Sequence, residues 1–212
     1  MSETVLYDYW RSSASYRLRI ALNLAAIPYR AVSVDLVKGE QRSAAHLARN
    51  PQGLVPVLEI DGLQLTQSLA ILDYLDQTRE MGLLPKDPAL RVQAQALAQC
   101  IAVDLHPVCN LQVVAYAASI AADPSVTREA WMARFIRPGL EAFESLLEAF
   151  EQQPYCTGKA PGLADICLMP QLYNARRWGV DFADLPRLVA VDAACSQHPA
   201  FAAAHPDAVH GA

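Results

Sequence analysis

The pattern of apolar residues changes once along this 212-residue chain, near residue 84, and no other feature limits its fold as much. Before that point, short runs of strand formers alternate with runs of helical period; after it, every periodic segment is helical. Residues 4–9 (Thr-Val-Leu-Tyr-Asp-Tyr) and 29–35 (Tyr-Arg-Ala-Val-Ser-Val-Asp) read as strands. Between them, Arg-Ser-Ser-Ala-Ser at 11–15 is a turn rich in helix-capping residues. The helix that follows is expected to place Leu18, Ala21, Leu22 and Ala25 inward, with Arg17 and Arg19 pointing away. A short polar helix is expected over 41–49, ended by Asn-Pro-Gln-Gly at 50–53. Residues 55–60 and 63–66 flank Asp61-Gly62, a favoured two-residue hairpin turn. Pro56 cannot donate to a strand ladder, so a cis Val55-Pro56 bond is its natural accommodation there. Leu69, Leu72 and Leu75 then repeat on a helix from Ser68 to about Thr78, completing a small βαβαββα unit.

Residues 80–88 read as a linker with two prolines, and Asp87-Pro88 as a helix start. A long helix follows, with a bend or break expected at His106-Pro107. Another is expected over roughly 127–150, with Pro138 inside it and Trp131, Phe135, Phe143, Leu147 and Phe150 as its inward stripe. Two or three more follow from 163. The expected organisation is an α/β domain at 1–84 and an all-α domain at 85–212. The 36 alanines fit the helical half.

A hydrophobic content of 53% excludes a disordered chain. The net charge of −5 divides into −1 for residues 1–84 and −4 for 85–212, which argues against nucleic acid as a partner. From Val92 to Ala122 the only formal charge is Asp104, yet Gln93, Gln95, Gln99, His106, Asn110 and Gln112 make the segment too polar for a lipid-facing span. A helix at the centre of a helical domain fits it better. Five widely spaced cysteines without a C-x-x-C pair read as reduced thiols of a cytoplasmic protein, and Met-Ser-Glu-Thr at the start has no signal-peptide character. The five histidines lack paired ligand spacing, so no metal site is expected.

There is no G-x-G-x-x-G, phosphate-binding loop, H-E-x-x-H or G-x-S-x-G. Chemistry concentrates instead at the turn Arg11-Ser12-Ser13-Ala14-Ser15-Tyr16-Arg17. Hydroxyls and free N–H groups at a helix N-terminus stabilise an anion. Plain capping by one of the serines is the simpler alternative, and the residues alone leave both open. Gln67-Ser68 opens a second helix in the same manner, beside Val55-Pro56 in chain order.

The run Arg11-Ser-Ser-Ala-Ser-Tyr-Arg-Leu-Arg-Ile-Ala-Leu22 resembles the signature Ser-Ser-Cys-x-Trp-Arg-Val-Arg-Ile-Ala-Leu of zeta-class glutathione transferases. These are the maleylacetoacetate isomerases and their maleylpyruvate isomerase relatives. Asn50-Pro51, Val55-Pro56, Gln67-Ser-Leu-Ala-Ile71, Leu83-Leu-Pro85, His106-Pro-x-x-Asn-Leu111, Leu163-Ala-Asp-Ile-Cys-Leu168, Pro170-Gln171 and the run 174–181 extend the likeness over nearly the whole chain. It implies a thioredoxin-like N-terminal domain, an all-helical C-terminal domain, a homodimer and glutathione as cofactor. By the same resemblance Ser12 stabilises the glutathione thiolate, and Ser13, Ala14, Ser15, Tyr16 and Arg17 complete the binding turn. Gln41 and Val55 hold the glutathione backbone, while Gln67 and Ser68 take its γ-glutamyl end. His106, Asn110, Leu111 and Gln112 match further binding positions, and Arg11 and Arg177 match cations that face substrate carboxylates.

Two positions depart from the family pattern. Ala14 replaces the signature cysteine, which removes any chemistry of that thiol. Gly162-Leu-Ala-Asp165 replaces Ser/Thr-x-x-Asp, which removes half of a capping box at a cost of a few tenths of a kcal/mol. The implied reaction is cis–trans isomerisation of a conjugated diacid by reversible thiolate addition, with maleylacetoacetate as substrate and maleylpyruvate as the close alternative. A general transferase or dehalogenase for small α-halo acids comes third. A non-catalytic glutathione-fold binding module is the competitor from another class.

Overall fold

A computed structural model of the chain describes residues 3–122 and 124–210. Val5–Asp8 forms β1, and Ser12 then caps α1 (Ser13–Leu24). Arg30–Ser33 forms β2, parallel to β1 with Val5 opposite Arg30. A 3-10 turn at Glu40–Arg42 and α2 (Ala44–Arg49) precede the hairpin of β3 (Val57–Ile60) and β4 (Leu63–Thr66). The sheet order is β2-β1-β3-β4, with β3 antiparallel to both neighbours. Asp61 and Gly62 both have positive φ (55° and 78°), as the turn type that matches strand twist requires. The Val55-Pro56 bond is cis. α3 (Ser68–Arg79) completes the βαβαββα order.

One expectation for this unit is overturned. Arg17 and Arg19 do not point away from the core but are buried, at 2% and 1% exposure. Arg19 Nη1 meets both oxygens of Asp8 at 2.9 and 2.7 Å, its Nη2 donates to the Trp10 carbonyl at 2.9 Å and its Nε to the Ala204 carbonyl at 2.9 Å. A guanidinium can lie inside a protein when its charge is paired and its donors are used.

The chain divides into two compact units, Met1–Gly82 with Gln197–Ala212, and Leu83–Ser196. The C-terminal segment groups with the first unit. It holds α10 (Pro199–Ala204) and α11 (Pro206–Val209), and α1 anchors it through Arg19 and through Asn23, whose Nδ2 donates to the Ala200 carbonyl at 3.0 Å. Composition alone does not place it, because an alanine-rich helix looks the same on either unit.

In the second unit, Asp87 caps α4 (Pro88–Gln99) by accepting from the N–H of Ala89 and Leu90. The helix passes into a π-helical stretch at Cys100–Leu105, continues as α5 (His106–Val108) and breaks at Cys109-Asn110. Proline 107 supplies no N–H to the turn before it, and the wider π turn absorbs that loss. Asn110 then caps α6 (Leu111–Ser119). By length and composition the stretch 88–119 is apolar enough to cross a membrane. Its buried residues Ala94, Leu97, Ala98, Ile101, Val114 and Ala118 lie on the sides that pack against the helices described next.

α7 (Pro124–Leu146) buries Met132, Ile136, Leu140 and Phe143 and is followed by Leu147 in a short 3-10 turn. The expected inward stripe is thus displaced by one residue in its first half. Trp131 and Phe135 lie half-buried beside it, their rings 4.9 Å apart, with Trp131 Nε1 donating to the Val108 carbonyl at 2.8 Å. A tryptophan with an N–H to satisfy sits better at a margin than in the centre.

α8 (Leu163–Arg177) is the central helix of this unit, followed by α9 (Pro186–Gln197). Asp165 is fully buried and accepts from the N–H of Gly162 (2.8 Å) and of Cys156 (2.9 Å). Burial pushes its carboxyl above the usual range, opposed by those two bonds. Glycine at 162 has a steric reason that capping propensity does not contain. A Cβ there would lie 3.0 Å from the Leu83 carbonyl oxygen and 3.3 Å from Thr157 Oγ1. The backbone of Leu83 comes this close because its carbonyl accepts from Leu163 N–H at 2.8 Å.

Two stability predictions follow from these buried groups. Arg19→Met leaves the Asp8 carboxylate without its partner, and urea unfolding is expected to show a loss of about 3–5 kcal/mol, with Asp8→Leu/Arg19→Met closer to the parent than either single variant. Gly162→Ser restores the family's capping hydroxyl, yet is expected to lower stability by about 1–3 kcal/mol in the same assay because the Leu83 backbone must shift.

Candidate functional site

Ser12 sits where β1 hands over to α1. Its N–H donates to the Tyr9 carbonyl (2.8 Å), its carbonyl accepts from Tyr16 N–H (2.9 Å) and its Oγ accepts from Ser15 N–H (3.2 Å). Oγ therefore spends a lone pair on the cap and keeps its O–H as a donor. The N–H groups of Ser13 and Ala14 lie in the first turn, where a helix offers no internal acceptor, and no acidic residue offsets the positive end. Capping and anion stabilisation, posed as alternatives by the sequence, are compatible in this geometry.

Only part of the expected binding turn faces outward. Ser12, Ser13 and Ala14 are half-buried, whereas Ser15, Tyr16 and Arg17 are buried. At helical spacing the second half of the turn rotates into the core. Arg17 instead acts behind the surface, where its Nη1 donates to Ser68 Oγ at 3.1 Å and so ties the starts of α1 and α3 together.

Gln67 precedes α3 at φ 68° and ψ 106°, a conformation that costs a non-glycine residue on the order of 1–3 kcal/mol and is typical of functional positions. Its Nε2 donates to Gln52 Oε1 at 2.8 Å. The buried Gln41 leaves its amide oxygen without a hydrogen-bond partner among the described residues, an acceptor suited to a ligand N–H. Gly53, at φ +62°, comes so close that a Cβ would lie 3.0 Å from the Gln41 carbonyl oxygen. The Leu54 carbonyl accepts from Asn50 Nδ2 and meets His46 Nε2, both at 2.9 Å, which fixes the backbone leading into Val55 and the cis bond. His46 and Asn50 were not among the expected site residues. In the sequence Asn50-Pro51 reads as punctuation and as part of the family likeness but carries no site role, and nothing local links His46 to Leu54.

Arg11 is half-buried, with Nη2 donating to Tyr9 Oη at 3.0 Å and its guanidinium 4.7 Å from the Trp10 ring centre.

In the second unit, the Asn110 side chain is occupied as a cap, accepting from Gln112 N–H at 3.0 Å, and Leu111 and Gln112 are exposed. His106 is half-buried on α5. The neighbouring arginines at the end of α8 differ. Arg176 is committed to a salt bridge with Asp192, whereas Arg177 lies 5.7 Å from the Trp178 ring centre with Nη1 3.5 Å from Asn174 Oδ1.

All five cysteines are free thiols. Burial pushes the Cys109 thiol up to about 11, and raises Cys100, Cys156 and Cys195 as well, with the Asp165 carboxylate adding to the last two. None of these four is a thiolate at neutral pH, so they do not supply a sulfur nucleophile. No cluster of three or more potential metal ligands exists among the described residues.

Residues 2–77 match the family model described as the glutathione S-transferase N-terminal domain. The chain is 56% identical over 207 residues to a maleylacetoacetate isomerase of Rhizobium meliloti (strain 1021), covering 97% of each protein. Among solved structures it is similar to a maleyl pyruvate isomerase described as a bacterial zeta-class glutathione S-transferase, with a TM-score of 0.93 at 40% identity over 98% of this chain and 99% of that one. It is also similar to a maleylacetoacetate isomerase of Methylobacterium extorquens AM1 with bound malonate and glutathione, with a TM-score of 0.91 at 38% identity over 98% and 99%. With a thioredoxin-like first unit, a helical second unit and these likenesses along nearly its full length, the chain belongs to the zeta-class glutathione transferases.

Proposed function

We propose that this protein is a glutathione-dependent cis–trans isomerase that converts maleylacetoacetate to fumarylacetoacetate. The observation that carries the reading is Ser12, whose remaining O–H lies at the half-open, positive end of α1. Glutathione, when bound, would supply a thiolate able to add reversibly to the alkene so that the bond can rotate. A free thiol has a pKa of about 8.5, so the site must favour the anion. Ser12 does this by donating its hydroxyl proton to the sulfur without giving it up, and the first-turn N–H groups of Ser13 and Ala14 add positive potential. Ala14 is no obstacle, because this chemistry needs no protein thiol.

Gln41, the Val55 backbone, Gln67 and Ser68 are proposed to hold the tripeptide. The orphan acceptor of Gln41 and the support that Arg17 gives Ser68 favour this. Arg11 is proposed to orient a substrate carboxylate, for which a planar guanidinium is better suited than an ammonium. The roles of Arg177, His106, Asn110, Leu111 and Gln112 rest on the family resemblance. Maleylpyruvate is the second reading, favoured by the 0.93 TM-score to an isomerase of that acid.

A cytoplasmic homodimer is the proposed form. Both outer strands, β2 and β4, are sheet edges, and Leu63 on β4 is 46% exposed, a surface that a second copy would cover.

An assay of both diacids with and without glutathione tests the reading. Turnover is expected only with glutathione, and faster for maleylacetoacetate; equal turnover without it overturns the mechanism. Ser12→Ala is expected to lower kcat/KM about 10²-fold, the scale of losing one donor to a developing or stabilised anion. Arg177→Met is expected to raise KM for the diacid about tenfold, as for losing a charge-assisted hydrogen bond, while Arg176→Met leaves it unchanged.

A further inference from the structure

We propose that Trp10 and His210 are positioning residues for Arg11, so that the C-terminal segment helps to set the carboxylate-binding group of the active site; this rests on the role proposed above for Arg11. The Arg11 guanidinium is held by Tyr9, through Oη at 3.0 Å and the ring at 5.8 Å from its centre, and by the Trp10 ring at 4.7 Å from its centre. The second support is itself fixed. The Trp10 carbonyl accepts from Arg19 Nη2 at 2.9 Å, and its ring packs against the His210 imidazole, with centroids 3.9 Å apart at 38°.

His210 reaches that ring by a route anchored at each stage. α10 is pinned to α1 by Arg19 to the Ala204 carbonyl and Asn23 to the Ala200 carbonyl. His205, between α10 and α11, meets the Tyr16 ring edge-on at 6.1 Å and accepts from Asp207 N–H through Nδ1. One turn later, the His210 N–H donates to the Pro206 carbonyl at 3.0 Å. The imidazole therefore arrives on Trp10 from a segment already fastened to the helix that carries Ser12. An indole held at its carbonyl and covered on its ring has little freedom to swing, and its π-face is the platform on which the guanidinium rests. Removing the cover frees the indole, and of these contacts Arg11 then keeps only those with Tyr9.

The test compares His210→Ala, Trp10→Ala and Trp10→Phe in the full chain. Steady-state kinetics gives KM and kcat for the diacid, and calorimetry gives Kd for glutathione. Both alanine variants are expected to raise KM for the diacid about three- to tenfold, the scale of one cation–aromatic contact, with kcat and the glutathione Kd within about twofold. Trp10→Phe keeps an aromatic face and is expected to restore most of the loss. His210 is exposed, so its variant folds even if Trp10→Ala does not. The stack has its own readout: the imidazole proton resonances of His210 should be shifted upfield by the indole in the parent and not in Trp10→Ala. Unchanged KM in both alanine variants overturns the inference, and so does a parallel rise in KM and glutathione Kd, which would report general loosening. Absence of turnover in the parent overturns the functional reading first and this inference with it, while the resonance shift would still report the stack.

Discussion

The Arg19–Asp8 pair is the contact on which the first unit depends. One guanidinium satisfies the carboxylate at the end of β1, the carbonyl of Trp10 in the turn and the carbonyl of Ala204 in the C-terminal segment. Burying a charge costs several kcal/mol per ion unless geometry and hydrogen bonds offset it. Here bonds from Nε, Nη1 and Nη2 do so, and they fix three pieces of chain against α1. The turn holding Ser12 runs from one of those pieces, Trp10, into α1 itself, so both its ends are fixed by a bond network that contains none of the residues proposed to touch a ligand.

The same division of labour recurs around the site. Arg17 steadies Ser68 from inside the core, Asn50 and His46 clamp the Leu54 carbonyl ahead of Val55, and Gly53 presses its backbone against Gln41. A group must be held to a fraction of an ångström to act on a ligand, and side chains on a loop need such support. The outward layer offers donors, one orphan acceptor and the positive end of a helix, but no sulfur anion. Four thiols pushed up by burial, a fifth, Cys167, fully buried and alanine at position 14 all fit a nucleophile that comes with the ligand.

Much of the first unit was legible because its signals are local. The alternating strands, the Asp61-Gly62 turn, the cis proline and the serine-capped helix each depend on neighbours within a few residues. In the helical unit, element positions were legible and their faces less so. A stripe drawn through Trp131 and Phe135 favours the largest aromatics, whereas the core took Met132 and Ile136 and left the indole where its N–H could reach Val108. The π turn before His106-Pro107 replaced a simple bend. At Gly162, propensity described a weak cap, and only the folded chain shows how closely the Leu83 carbonyl approaches.

By itself the sequence determined the βαβαββα order of the first elements, the change from α/β to helix near residue 84, the family and the serine turn where chemistry is concentrated. Tertiary structure alone decided which charges are buried and what supports the site. Periodicity places arginine outside, since an unpaired buried charge is prohibitive, and this rule holds until a partner is present. The partners of Arg19 lie 11 and 185 residues away, that of Arg17 lies 51 away, and His210 meets Trp10 from the opposite end of the described chain. Contacts at such separations leave no mark on local pattern, so where Arg17, Arg19 and the C-terminal segment would go became visible only in the folded chain.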